Sequence, residues 1–74
     1  MMKKIRFTGW NKNMNKIEFI HILNEHARLS LKESKDIKDR IVNNEIIEVI
    51  VDEEKMDLII SDAIKFGLYV EKVT

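Results

Sequence analysis

The chain reads as an α+β domain of order β-α-α-β-α-β, a two-layer sandwich in which three helices cover a three-stranded sheet. Three observations predict it. Polar and apolar residues alternate over residues 3–8, which is the period of a half-buried strand. Apolar residues recur at three- and four-residue spacing on either side of a break at Arg28–Ser30, which makes two helices rather than one. A β-branched run at residues 45–51 and an apolar run at 68–73 flank a third helical stripe bounded by Asp52 and Gly67.

The alternation places Ile5 and Phe7 on one side of the first strand and Lys4, Arg6 and Thr8 on the other. Residues 9–13, Gly-Trp-Asn-Lys-Asn, read as a loop, with Asn13 or Asn15 as the cap of the next helix. Over residues 14–27 the stripe runs through Ile17, Ile20, Leu23 or Asn24, and Ala27, widened by Phe19 and Ile22. Ser30 and Glu33 fit a capping box, in which each side chain satisfies an orphaned backbone N–H, so the first helix ends near Ala27 and the second starts at Leu31. Leu31, Ser34, Ile37 and Ile41 then form a second stripe, with Lys32, Lys35 and Lys38 beside it.

Asn43 and Asn44 end the helical region. The run Glu45-Ile46-Ile47-Glu48-Val49-Ile50-Val51 is apolar on both faces, which predicts a strand that is central or covered on both sides. Asp52 caps the third helix, whose first-turn Glu53 and Glu54 suit the positive end of the helix dipole, and Met56, Ile59 or Ile60, Ala63 and Ile64 give its buried face. Gly67 is placed to leave that helix in a left-handed conformation before the last strand.

Composition limits the chemistry. Seventy-four residues make one domain with a small core, and the absence of cysteine removes disulfides and thiolate metal sites. No 18-residue apolar run exists, so no membrane partner is expected, and Met1-Met2-Lys3-Lys4 leads into a strand rather than a signal-peptide apolar core. The expected location is cytoplasmic. Formal neutrality hides a gradient: residues 1–40 hold ten Lys or Arg against five acids, and residues 41–74 three against eight. That asymmetry either steers a partner or draws the two halves of one fold together.

The element order, Asn15-Lys16-Ile17 and the segment Leu29-Ser30-Leu31-Lys32-Glu33-Ser34-Lys35-Asp36-Ile37 resemble the C-terminal domain of the bacterial ribosomal stalk protein L7/L12. The resemblance runs from the first strand through Gly67 to the last. It implies the family's fold and a surface on the first two helices that recruits translational GTPases, with Lys16, Lys32 and Lys35 at the matching basic positions. Where that family has two more basic residues on its first helix, this chain has His21 and Asn24. Arg28 and Ser30 replace the two glycines of its helix–helix turn. The family's N-terminal dimerisation domain and hinge have no counterpart in these residues, so the expectation is a solitary stalk-type domain. The adaptor that feeds bacterial AAA+ proteases (ClpS-like) shares this general fold, without a substrate-binding motif to transfer.

The candidate protein-binding set is therefore Lys16, His21, Asn24, Arg28, Lys32, Lys35 and Trp10, facing a protein with an acidic surface, such as a translation factor. Against it stands the reading of Lys16, Lys32 and Lys35 as solvated helix residues, Lys35 being supported by Asp39 one turn on. Trp10 either anchors a partner or closes the edge of the core. His21 and His26 are five apart and share no helical face, no third ligand accompanies them, and His21 reads as a rim residue beside Glu25. Glu53, Glu54 and Asp57 are explained by capping and solvation, and no phosphate loop or nucleophile elbow occurs. No enzyme activity, cofactor or metal is expected. The function expected is noncatalytic protein binding or adaptor work, associated with translation. The alternatives are a nucleic-acid binder using Lys3, Lys4, Arg6, Lys12 and Arg28 with Trp10 or Phe7, and a homodimer built on the final strand's edge.

Overall fold

The computed structural model describes residues 1–73 as β1 (Met2–Trp10), α1 (Lys16–Glu25), α2 (Leu31–Val42), β2 (Ile47–Asp52), α3 (Glu53–Lys65) and β3 (Leu68–Val73). The three strands form an antiparallel sheet of order β2-β1-β3. β1 is therefore central. The split β2-α3-β3 unit straddles it, and the α1–α2 pair fills the rest of one face.

Two strand expectations are corrected. β2 is an edge strand, not a central or doubly covered one: Ile47, Val49 and Val51 are buried, while Glu48 and Ile50 face solvent. Strand order is set by tertiary contacts that the apolar content of one segment does not encode. Gly9 and Trp10, expected in a loop, extend β1, because the register against β3 shifts between Phe7 and Gly9 and leaves Thr8 as the extra residue of a bulge. Thr8 Oγ1 reaches the Tyr69 carbonyl at 3.4 Å, and the Tyr69 ring lies 3.2 Å from where a Cβ on Gly9 would sit.

Helix boundaries follow local chemistry. The Asn15 side chain accepts from Glu18 N at 3.1 Å and starts α1, which closes at His26. Ser30 Oγ accepts from Glu33 N at 3.0 Å and donates to the Glu33 carboxylate at 3.1 Å, so the glutamate of the capping box meets the hydroxyl rather than the Ser30 N–H. Asn44, at φ +66, ends α2 with Asn44 N donating to Ile41 O and Glu45 N to Arg40 O, the paired bonds of a Schellman motif. Asp52 caps α3 through Glu54 N at 3.0 Å. Gly67 leaves α3 at φ +94, as expected.

The core corrects the phase of two helical stripes. Phe19, Ile22 and Leu23 bury α1, with Phe19 edge-on to Phe7 at 5.1 Å between centroids, whereas Ile17 is 68% exposed. The three buried residues lie at i, i+3 and i+4, and Ile17 sits nearly opposite them on the helix. In α3 the buried pair is Ile59 and Ala63, with Met56 and Ile60 beside it, and Ile64 is exposed. Leu31, expected inside, is 50% exposed at the start of α2, while Ile37 and Ile41 point inward. Ser34 is fully buried yet satisfied, donating to Ser30 O at 2.8 Å.

Candidate functional site

The first question is which cations are free to meet a partner. In β1 they are not. Arg6 lies between Glu48 of β2 and Glu71 of β3, in register across the sheet. Its Nε and Nη2 donate to one Glu48 oxygen at 3.0 and 2.8 Å, and its Nη1 donates to Glu71 at 3.0 Å. Lys4 joins Glu48 at 3.6 Å and Lys3 reaches Glu53 at 3.9 Å. The hydrogen bond from Arg6 is the main reason that the Glu48 carboxyl titrates below its ordinary range, against a smaller opposing effect of desolvation; the two glutamates raise the Arg6 guanidinium in turn. The charge gradient of the sequence is thus used inside the fold, where basic β1 is flanked by acidic partners from the C-terminal half.

The first two helices differ. Lys16 begins α1, Lys32 and Lys35 occupy the first two turns of α2, and Arg28 stands in the turn between them. All four are exposed, and among the described residues none of them makes an ion pair. The expected support of Lys35 by Asp39 does not form, because Asp39 pairs with its half-buried neighbour Lys38. Lys32 and Lys35 share the wall of an open groove that α2 forms with the start of β2. Lys16 is not brought to them: it lies nine residues, about 14 Å along α1, from the end at which α2 begins.

The remaining candidates separate by what they already do. Asn24 donates its amide to Leu29 O at 2.9 Å and so fastens the interhelical turn. Arg28 holds φ +58 in that turn, the left-handed region where a side chain is strained. His21 is exposed on α1, without an ion pair to Glu25 among the described residues. Trp10 is half-buried against the core beside Leu68, which supports its reading as the closure of the core edge.

Two surface features were missed from sequence. Ile17 and Leu31 lie exposed next to Lys16 and Lys32, so the helical surface is apolar as well as basic. Both residues fit the stripes expected to be buried, so the sequence carried no signal of their exposure. The helix-free sheet face carries exposed Met2, Ile46, Ile50 and Tyr69 on either side of the Glu48–Arg6–Glu71 row. The apolar residues on the second face of β2 gave that signal, though it pointed to burial.

Among the described residues no three His, Asp or Glu side chains gather as a metal-binding group, and no helix is long and apolar enough to cross a membrane. No protein-family profile matches the chain, and neither a curated protein nor a solved structure matches it significantly.

Proposed function

We propose that the chain is a noncatalytic adaptor domain that docks an acidic protein partner in the cytoplasm on the exposed surface of α1 and α2. One contrast carries this reading: Lys3, Lys4 and Arg6 are engaged by acids of the same fold, whereas Lys16, Arg28, Lys32 and Lys35 are exposed without such partners among the described residues. Charge of this kind orients and accelerates encounter, while exposed Ile17 and Leu31 supply apolar area that complementary charge alone lacks. The element order supports the likeness to the L7/L12 C-terminal domain, under which the partner is a translation factor. Nucleic-acid binding is the weaker reading, because three of its five expected cations are paired and Phe7 is fully buried against Phe19.

The test is quantitative capture from nuclease-treated lysate, comparing the chain with its Lys16→Glu/Lys32→Glu/Lys35→Glu variant after circular dichroism has shown both to be folded. A specific protein retained by the first and lost by the second supports the docking surface. Equal retention refutes it.

A further inference from the structure

The geometry points to a second surface, on which two copies of this chain pair through their β2 edges and α2 helices about one two-fold axis. β2 presents an outer edge with no proline, lysine or bulge in its six residues, and Glu48 and Asp52 are its only charges against strand addition. Antiparallel self-pairing centred on Val49 sets Ile47 opposite Val51 of the second copy and Glu48 opposite its Ile50. Centring on Glu48 or Ile50 instead opposes Glu48 to another Glu48 or to Asp52, so like charges disfavour both neighbouring registers. Glu48 is already neutralised by Arg6 and Lys4, which lowers the cost of covering it, and Ile50, now 55% exposed, gains cover.

The helix beside that edge is self-complementary in the same sense. Glu33, Ile37 and Arg40 recur at i, i+4 and i+7 and line the groove with Ile47. An antiparallel copy brings Glu33 to the other chain's Arg40 twice, on either side of the half-buried Ile37, with Arg40 turning to it from Glu45, which it meets at 3.2 Å within its own chain. Ile37 is about 8 Å along α2 from its end and Val49 about 7 Å along β2 from its start, a similar reach on either side of the connecting turn. A single axis placed through both centres joins two three-stranded sheets into one of six. Lys32 and Lys35 line the same groove from a different stripe of α2 and take no part in the Glu33–Arg40 pairs. The β3 edge is less suited, since centring on Val70 opposes Leu68 to Lys72 and centring on Glu71 opposes two glutamates.

Sedimentation equilibrium tests this with Glu33→Arg and Arg40→Glu, each confirmed as folded. The chain should dimerise with concentration, and each reversal should weaken the dimer about tenfold, because two facing pairs become like-charged. An equimolar mixture of the two variants should restore the affinity, since each mixed pair is again opposite in charge; loss of fold cannot produce that rescue. A monomer at about 1 mM, a dimer indifferent to both reversals, or a mixture without rescue overturns the proposal. So does binding of an extended peptide at β2 by a chain that stays monomeric.

Discussion

Replacing Gly67 with alanine should be the most damaging one-carbon change in this chain. At φ +94 an L-residue is strained by about 1–2 kcal/mol. The added Cβ would also stand 2.7 Å from Met14 Cα and 2.9 Å from both Met14 N and Asn11 Oδ1. Two of those atoms are backbone, so relief requires the β1–α1 loop to move. That loop is tied down by Asn11 N donating to Gly67 O and Asn15 N to Phe66 O, each at 2.9 Å, and loosening them costs about 1 kcal/mol apiece. Alanine returns about 0.4–1 kcal/mol by restricting the unfolded chain. The net loss is about 3 kcal/mol, from a total of about 4–11 kcal/mol for a chain of this length. Urea unfolding followed by circular dichroism measures it as a lower midpoint at unchanged slope. A loss below about 1 kcal/mol would mean that the tie between α3 and the start of α1 does not hold the fold as described.

Two further expectations test packing and charge. Ile17→Ser should change stability by no more than about 0.5 kcal/mol, whereas Ile22→Ala should cost about 2–5 kcal/mol; comparable losses would put the buried stripe of α1 on the wrong phase. Glu48 is held below its ordinary range, so its contribution is present above the unfolded glutamate pKa of about 4.3 and is lost as pH falls through the lower folded value. Urea midpoints between about pH 2 and 7 should therefore fall less steeply on the acid side in Glu48→Gln than in the unaltered chain, and parallel curves would contradict the linkage.

The parts legible in the sequence were those decided within a few residues. Ser30 with Glu33, Asp52, and Gly67 mark helix ends because capping chemistry is local, and all of these act where expected. The phase of α1 was not local: with apolar residues at 17, 19, 20, 22 and 23, several stripes fit the same helix, and contact of Phe19 with Phe7 selects one. Likewise, Ile46 and Ile50 made β2 look covered on both sides, although all three helices pack on the other face. At the candidate surface the lysines were visible but their availability was not. Only the fold shows that β1 cations are engaged across the sheet while Lys32 and Lys35 of α2 are left exposed, and that Lys16 stands apart from those two.

The decisive measurement is the dissociation constant of the captured partner for Lys32→Glu/Lys35→Glu and for Lys3→Glu/Lys4→Glu, each folded, beside the unaltered chain. Reversal on α2 should weaken binding about tenfold, while reversal on β1 should change it less than about twofold. Equal losses, or a larger loss from β1, would contradict docking on the exposed helical cations.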